Sequence, residues 1–226
     1  MKYPIYEHFY SFQGEGNYSG KAAYFIRFYG CPLKCKWCDS AGTWHSNYIP
    51  KEIIKYSPSE LYDIIRKNSN SSTVIITGGE PTIFDLNPLL EYCRKFSYLN
   101  FHLETSGAFE IKGKFDWITV SPKWDKLPLI ENIKNANEIK IIVEDLDSID
   151  KWTKQIPELK DKKLIWLHPE WSQRDNINLL NKITQYIKNN TNFRAGYQIH
   201  KMYSADILDK DSKPMIPLGG DIQNGY

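Results

Sequence analysis

The sequence has few cysteines and no long apolar run. Its 226 residues include four cysteines, too few for a disulfide framework, and a chain of this length can bury a core without one. The longest apolar runs, such as residues 22–26 and 141–143, fall far short of the roughly 20 residues that a membrane-spanning helix needs. The first residues show no basic segment followed by an apolar stretch, so no signal peptide is predicted. These absences predict a soluble cytoplasmic protein with no membrane partner.

The sequence also lacks an excess of one charge. It has 29 basic and 27 acidic side chains, which leaves a formal net charge of +2. Proteins that bind nucleic acids in general collect Lys and Arg on one face to neutralise phosphates. The near balance of charge therefore disfavours a nucleic-acid partner.

Short β-branched and aromatic runs alternate with helix-like segments. Strands are predicted over residues 23–28, 73–77, 99–104, 116–120, 138–143, 163–167 and 194–199, and helices over residues 58–68, 87–96, 146–156 and 176–189. Ser57, Pro58 and Glu60 form a capping-box start for the first helix. The alternation predicts an α/β fold with mostly parallel strands, and too few helices for a closed eight-fold barrel favour a partial barrel. We expect a single domain over residues 1–226, with residues 202–226 as an extended C-terminal tail.

Three of the four cysteines follow the first of these strands. Cys31, Cys35 and Cys38 have Cys-x3-Cys-x2-Cys spacing, which lets one short loop bind three irons of a cubane and leaves the fourth iron open to another ligand. A zinc site is the alternative, and it would have to recruit His45 or Cys93 as a fourth ligand. Cys93 lies on the apolar side of a helical pattern, which predicts a core residue.

Two motifs resemble those of the radical S-adenosylmethionine enzymes. The cysteine loop carries an aromatic residue, Trp37, directly before its third cysteine. About forty residues later, Gly78-Gly79-Glu80-Pro81 follows a predicted strand and is similar to the segment that binds the methionine amino group in that family. The resemblance implies a [4Fe-4S] cluster, whose open iron chelates S-adenosylmethionine, with Trp37 against the adenine.

A narrower resemblance covers residues 5 to 201. The N-terminal segment 11–16, Ser-Phe-Gln-Gly-Glu-Gly, together with Arg27, is similar to the 7-carboxy-7-deazaguanine synthase family of queuosine and deazapurine biosynthesis. Further similar pieces are residues 38–40, 77–81, 104–107, 121–123, 168–170 and 198–201. The resemblance implies a radical lyase that converts 6-carboxy-5,6,7,8-tetrahydropterin to 7-carboxy-7-deazaguanine with loss of ammonia, with Mg²⁺ as a third cofactor.

The same resemblance implies roles for individual residues. The cluster ligands would be Cys31, Cys35 and Cys38. The S-adenosylmethionine contacts would be Trp37, Asp39, Gly79, Glu80, Ser121, Pro122, Lys123, His168, Pro169, Glu170 and Trp171. The pterin contacts would be Phe12, Gln13, Gly14, Glu15, Arg27, Thr77, Glu104, His200 and Tyr226, with Arg27 on the substrate carboxylate.

Two features depart from the family pattern. The family commonly has Thr after Cys-Asp, where its hydroxyl is implied to bind magnesium, and this chain has Ser40, which keeps the hydroxyl oxygen. Compact members end soon after the His-Lys segment and are thought to offer their terminal carboxylate to the substrate. Here about 25 residues follow Lys201, and either Tyr226 or residues 219–221 would have to take that place.

Two other functions remain open at this point. A glycyl-radical-enzyme activating enzyme would share the cysteine loop but act on a partner protein, which needs an open groove instead of a pocket. A zinc or iron-sulfur binding module would have no catalysis. For the enzyme, the resemblance implies a homodimer and a reductant such as flavodoxin or ferredoxin.

Overall fold

The chain forms one nine-stranded sheet with helices packed on one face. The computed structural model describes residues 1–205 and residue 213. The strands are β1 (Tyr3–Phe12), β2 (Ala22–Phe28), β3 (Ile54–Tyr56), β4 (Thr73–Gly78), β5 (Asn100–Thr105), β6 (Trp117–Val120), β7 (Glu138–Val143), β8 (Ile165–Pro169) and β9 (Phe193–Ala195). The α-helices are α1 (Pro58–Asn68), α2 (Asn87–Phe96), α3 (Ile130–Asn135), α4 (Ser148–Gln155), α5 (Ile177–Asn189) and α6 (Ile199–Met202).

The sheet is mostly parallel and open. Its strand order is β3-β1-β2-β4-β5-β6-β7-β8-β9. β1 is antiparallel to β2 and β3, whereas all pairs from β2 through β9 are parallel. The edge strands β3 and β9 do not pair with each other in the part of the chain that the structure describes. The predicted α/β fold with a partial barrel is therefore confirmed.

Alternation along the strands separates a core face from a cavity face. In β2, Ile26 and Phe28 are fully buried under the helices, while Arg27 between them faces the other way, toward a cavity. Two apolar clusters lie on the helical face, one under α1 and α2 and one under α4 and α5. Cys93 of α2 belongs to the first cluster and is 0% exposed, which confirms its prediction as a core residue.

Helix α1 begins at the predicted capping box. The Ser57 hydroxyl accepts a hydrogen bond from the backbone N–H of Glu60, and the Glu60 carboxylate accepts one from the Ser57 backbone N–H. Pro58 occupies the first helical position, where its missing N–H costs nothing. The helix buries Leu61 and Ile65, each worth roughly 1.5–3 kcal/mol of apolar transfer free energy.

All seven predicted strands and four predicted helices are present, with some different ends. The last predicted strand was too long, because it ends at Ala195 and Ile199 already begins α6. Strands β1 and β3 and the short helices α3 and α6 were not predicted. Strand β1 mixes aromatic and charged residues and has a register shift between Ile5 and Glu7, so its sequence shows no regular period-2 pattern.

The predicted tail falls largely outside the described residues. Met202 ends α6, and residues 203–205 continue from it through a turn. Tyr226 and residues 219–221 lie outside the described residues, so their predicted role stays a prediction. No helix within residues 1–205 is long and apolar enough to cross a membrane.

Candidate active site

A deep cavity lies at the carboxyl ends of the parallel strands. Loops after β2, β4, β5, β6 and β8 reach it, as expected for a sheet of this kind, and residues 13–15 after the antiparallel strand β1 also line it. The predicted site residues on its wall are Phe12, Gln13, Gly14, Glu15, Arg27, Cys31, Cys35, Trp37, Cys38, Asp39, Ser40, Thr77, Gly79, Glu80, Glu104, Ser121, Lys123, Pro169, Glu170, Trp171 and His200. The fold therefore brings together most residues that the motifs singled out, from positions nearly 190 residues apart.

The three loop cysteines lie on this wall as unpaired thiols. Burial raises the pKa of the Cys31 thiol to about 12 and that of the Cys35 thiol to about 11. Burial and the neighbouring Asp39 also raise the pKa of Cys38, although the indole N–H of Trp44 acts in the opposite direction. Buried thiols of this kind ionise when a metal replaces the proton, so the donor set fits three irons of a cluster.

The spacing of these side chains does not fit a single zinc ion. Within residues 1–205 and 213, no three side chains among His, Cys, Asp and Glu come close enough to hold one metal ion. Zinc at a Zn–S distance of about 2.3 Å needs its ligands packed around one centre. In a cubane each cysteine binds a different iron, so the three sulfurs lie further apart. Cys93, one of the two suggested fourth zinc ligands, is buried in the helical core.

Glycines allow the loop after β4 to touch the cysteine loop. The Gly79 N–H donates to the Phe28 carbonyl at 3.0 Å, and the Glu80 N–H donates to the Gly30 carbonyl at 2.9 Å. A Cβ atom at Gly79 would lie 2.4 Å from the Gly30 carbonyl oxygen. Any larger residue at position 79 would push the two loops apart, which explains why the motif needs glycine there.

The Glu80 side chain is occupied inside the protein. It is 1% exposed and accepts hydrogen bonds from the backbone N–H groups and the hydroxyls of Thr82 and Ser106, and from the hydroxyl of Thr105. These hydrogen bonds occupy both carboxylate oxygens, and the predicted contact of Glu80 with S-adenosylmethionine stays a prediction. Both carboxylate oxygens join the loop after β4 to the end of β5, and the side chain holds these loops in place.

Trp37 and Lys123 face each other across the cysteine loop. The Lys123 Nζ lies 4.9 Å from the centroid of the Trp37 ring and donates to the Ser121 carbonyl at 2.8 Å and to its hydroxyl at 2.7 Å. Burial lowers the pKa of Lys123, opposed by the nearby Cys35. These contacts orient the indole and place one ammonium group beside the cluster loop.

Arg27 has an acidic partner that the motifs did not reveal. Its Nε lies 2.6 Å from Oε1 of Glu7, which is 7% exposed and sits opposite Arg27 in the β1–β2 register. The backbone N–H of Lys213 donates to the other oxygen of Glu7 at 2.5 Å. Recognising residues 3–12 as a strand would have revealed Glu7, because it shares a face with Phe9 and Ser11 of the cavity wall.

A second ionic group lies deeper in the cavity. Lys140 of β7 forms ion pairs with Glu15 and, at 3.0 Å, with Glu104, and its side chain is 13% exposed. Gln13 donates to the other oxygen of Glu104 at 3.0 Å. Burial opposes ionisation of Glu15, but Lys140 outweighs it and lowers the pKa of Glu15 well below its usual value, whereas burial raises that of Glu104. Lys140 was missed, although a lysine amid the apolar residues of a strand is a signal for it.

Residues after β9 close one side of the cavity. Lys201 pairs with Asp39 at 2.9 Å and lowers the pKa of that carboxyl to about 2, against the effect of burial. Gln198 donates to Glu15 at 2.5 Å and to Asp39 at 3.3 Å. The Ile199 N–H donates to the Gly14 carbonyl at 3.0 Å, so the turn that carries His200 lies on the glycine of the N-terminal motif.

Two predicted site residues are not on the cavity wall. His168 is fully buried inside β8 beneath the cavity, and Gly196 lies so close that a Cβ there would be 2.2 Å from its Nε2. Pro122 is also buried and does not line the cavity. The residues that follow them, Pro169 and Lys123, face the cavity instead, and the predicted contacts of His168 and Pro122 with S-adenosylmethionine stay predictions.

Comparison with known proteins identifies the class and then the family. The radical SAM superfamily matches residues 25–167, so the chain is a radical SAM enzyme, a class that uses a [4Fe-4S] cluster and S-adenosylmethionine. A 7-carboxy-7-deazaguanine synthase of Flavobacterium psychrophilum is 35% identical over 88% of this chain and 90% of its own length. A 7-carboxy-7-deazaguanine synthase of Synechocystis is 37% identical over 89% of this chain and 92% of its own length. The crystal structure of QueE from Escherichia coli superposes with a TM-score of 0.74 at 34% identity, covering 88% of this chain and 94% of that one. The chain belongs to the 7-carboxy-7-deazaguanine synthase family.

Proposed function

We propose that this enzyme converts 6-carboxy-5,6,7,8-tetrahydropterin to 7-carboxy-7-deazaguanine with loss of ammonia, a step of deazapurine and queuosine biosynthesis. The observation that carries the proposal is the shared cavity. Its wall holds the three-cysteine loop on one side and the Arg27 and Lys140 ionic groups on the other. Such a cavity with fixed charged groups suits a small anionic heterocycle, whereas a protein substrate would need an open groove.

The cysteine side of the cavity is the proposed cofactor site. Cys31, Cys35 and Cys38 would hold the cluster. Trp37, Asp39, Gly79, Ser121, Lys123, Pro169, Glu170 and Trp171 would surround S-adenosylmethionine. When bound and reduced, the cluster supplies the electron that cleaves S-adenosylmethionine and starts radical chemistry on the substrate. The protein's part is to aim that chemistry and to keep water away from it.

The ionic side of the cavity is the proposed pterin site. Phe12, Gly14, Thr77 and His200 would enclose the ring, and Arg27 would bind its carboxylate. Gln13, Glu15 and Glu104 offer an amide and carboxylates, which suit a ring edge with both donors and acceptors. The network of Gln13, Glu104, Lys140 and Glu15 holds these groups in fixed orientations before substrate enters. Because these polar groups are already ordered, less conformational entropy is lost when the substrate binds.

Ser40 is the proposed protein ligand of Mg²⁺. It lies on the cavity wall directly after Asp39 and within 3.8 Å of the Cys38 sulfur. A hydroxyl oxygen is a suitable donor for this hard cation, which usually keeps several waters and substrate oxygens as its other ligands. Magnesium would neutralise substrate oxygens there.

The surroundings of the enzyme are also part of the proposal. We infer a homodimer that acts in the cytoplasm and takes electrons from a flavodoxin or ferredoxin. Exposed apolar side chains at Leu127, Leu129 and Ile130 offer a surface for a second subunit. Sedimentation of the purified protein measures the oligomeric state directly.

One anaerobic assay tests the reaction. The reconstituted enzyme is incubated with dithionite, S-adenosylmethionine, Mg²⁺ and the tetrahydropterin, and mass spectrometry follows the deazapurine and 5′-deoxyadenosine. We expect the deazapurine from the wild type and from Cys93→Ala, whose cysteine is in the core, and none from Cys35→Ala. Product from Cys35→Ala would contradict the cluster assignment. An intact cluster without deazapurine would favour the activating-enzyme alternative.

A further inference from the structure

The sulfur of Cys38 receives a hydrogen bond from Trp44. The indole Nε1 of Trp44 lies 3.3 Å from the Cys38 Sγ, and both residues line the cavity. Within residues 1–205, neither Cys31 nor Cys35 receives a side-chain N–H at its sulfur. The resemblance to the family assigns no role to Trp44. Trp44 follows Cys38 by six residues, and a single turn of 3-10 helix, Ala41–Thr43, lies between them.

The backbone holds this indole firmly in place. The Trp44 N–H donates to the Ala41 carbonyl at 3.0 Å, the His45 N–H donates to the same carbonyl at 2.8 Å, and Gly30 donates to the Thr43 carbonyl at 2.9 Å. The turn also packs on β1 so closely that a Cβ at Gly42 would lie 2.2 Å from the Tyr6 hydroxyl oxygen. The loop that begins at Gly30 and the turn that ends at Trp44 are thus joined into one unit.

A hydrogen bond to a sulfur that binds the cluster changes the reduction potential of the cluster. One electron from a low-potential donor, such as flavodoxin or ferredoxin, adds one negative charge to the cluster. An N–H donor at a ligating sulfur stabilises the more negative form more strongly, which raises the reduction potential. The Trp44 N–H points at a partly buried sulfur on the cavity wall, where such a contact is stronger than in bulk solvent.

We propose that Trp44 is a positioning residue that makes the cluster easier to reduce, through its indole N–H bond to the Cys38 sulfur. The inference rests on the proposed cluster ligation by Cys31, Cys35 and Cys38. It goes beyond that assignment because it gives this enzyme a control over electron entry that is independent of substrate and S-adenosylmethionine contacts. Loss of the N–H would leave the cluster bound but harder to reduce.

The test is a redox titration of the reconstituted protein, followed by the electron paramagnetic resonance signal of the reduced cluster. For Trp44→Phe we expect wild-type iron and sulfide content. At a fixed solution potential we expect a three- to tenfold lower ratio of reduced to oxidised cluster. That ratio corresponds to a midpoint about 28–59 mV more negative for a one-electron couple. An unchanged midpoint with an intact cluster would overturn the proposal.

A matched control distinguishes the effect of losing the Trp44 N–H from the effect of losing an indole elsewhere in the protein. Trp117→Phe removes an indole whose Nε1 has no hydrogen-bond partner in the described part of the chain and which does not line the cavity. We expect this variant to keep the wild-type midpoint. The same shift in Trp117→Phe and in Trp44→Phe would contradict a specific role for Trp44.

A second substitution keeps the test decisive if Trp44→Phe fails to fold. Site-specific incorporation of benzothienylalanine at position 44 keeps the shape of the side chain and replaces only the N–H by sulfur. We expect the same negative shift of the midpoint, and a wild-type midpoint in this variant would overturn the proposal. Failure of the wild type itself to bind a cluster would instead refute the proposed function.

Discussion

The two ends of the sheet's inner face are built from different kinds of contact. At the carboxyl ends of the strands, the cavity wall carries ion pairs, namely Arg27–Glu7, Lys140 with Glu15 and Glu104, and Lys201–Asp39. At the amino ends, Tyr18 packs edge-on against His102 and Trp117 with ring centroids 4.5 and 4.9 Å apart. The carboxylate of Glu138 is buried at this end, and the residue is 2% exposed.

At the amino ends of the strands, which we call the closed end, the buried charge of Glu138 is satisfied by hydrogen bonds. It accepts hydrogen bonds from the Asn17 backbone N–H at 2.9 Å, the Thr119 hydroxyl at 2.8 Å and the Trp166 indole at 2.8 Å. All three donors are neutral. The short loop after β1 therefore closes the amino end through Asn17 and Tyr18, and the same loop presents Gln13 and Glu15 to the cavity.

The difference separates charges that hold the fold from charges that meet a ligand. The carboxylates of Glu138 and Glu80 are buried and accept hydrogen bonds from neutral protein donors. They hold loops in place and have few free acceptor positions for a ligand. In the cavity one lysine, Lys140, serves two carboxylates, which leaves a net negative charge in the group. A carboxylate whose oxygens are filled by protein donors has little hydrogen-bonding capacity left for a ligand, whereas the charged groups on the cavity wall can still interact with one.

The largest expected effect comes from removing Lys140. Lys140→Met leaves Glu15 and Glu104 buried without their common cation, which we expect to lower the free energy of unfolding by about 3–5 kcal/mol. Urea unfolding measures this value. The triple variant Glu15→Gln, Lys140→Met, Glu104→Gln removes all three charges and should recover a large part of the loss. No recovery would mean that packing of the lysine stem, and not charge, determines stability there.

A smaller effect is expected from the neutral shell around Glu80. Glu80→Gln places an amide N–H₂ against the N–H and hydroxyl donors of Thr82 and Ser106, and we expect a loss of about 1–3 kcal/mol in unfolding free energy. Because Glu80 also holds the Gly79 loop, calorimetry should show weaker binding of S-adenosylmethionine. Glu138→Gln is the matched control, with a similar loss of stability and unchanged affinity. Equal affinity of both variants for S-adenosylmethionine would contradict the role of Glu80 in holding the Gly79 loop.

The effect that is smallest at neutral pH concerns two buried histidines, one at the amino ends of the strands and one beneath the cavity. Burial lowers the pKa of His102 to about 4, assisted by Lys21, and that of His168 to about 4. The unfolded chain takes up these protons near pH 6.5, so it holds more protons than the folded protein between pH 6.5 and 4. We therefore expect stability to be complete above pH 6.5 and to fall as the pH drops to 4. The loss would be on the order of 2–3 kcal/mol per histidine.

Urea unfolding across this pH range tests the contribution of His102. His102→Phe keeps a ring against Tyr18 and Trp117 but cannot be protonated, so the variant should show a flatter decline in stability than the wild type. The difference between the two proteins should be constant above pH 7. An identical decline in both would show that His102 is not responsible.

Local patterns were sufficient for much of the fold and for the cluster loop. Helices α1 and α2 have the predicted ends because a capping box and apolar spacing are local signals. The cysteine spacing likewise needs no tertiary information. Strand β1 was missed because its inward residues, such as Glu7, are polar, and a strand that faces a cavity does not alternate between apolar and polar residues in the usual way.

The partners of the site residues could not be read from local patterns. Glu7 and Lys140 belong to no motif, yet they determine the charge around Arg27 and Glu15. Glu80 belongs to a motif, but the protein donors that its side chain meets at and just after the end of β5 belong to a distant part of the sequence. His168 was predicted as a cofactor contact and lies beneath the cavity, because the direction of a side chain depends on the register of its strand.

The sequence alone determined the class of chemistry, through three cysteines in one short loop, a glycine pair after a strand and an N-terminal motif. These are contiguous, and their meaning depends on spacing that no fold can change. Only the tertiary structure decided which charges meet, which carboxylates are already satisfied and that an indole N–H from Trp44 reaches the Cys38 sulfur. The reason is physical: hydrogen bonds and ion pairs act over a few ångströms, and the sheet alone brings residues such as Glu15, Glu104 and Lys140 within that range.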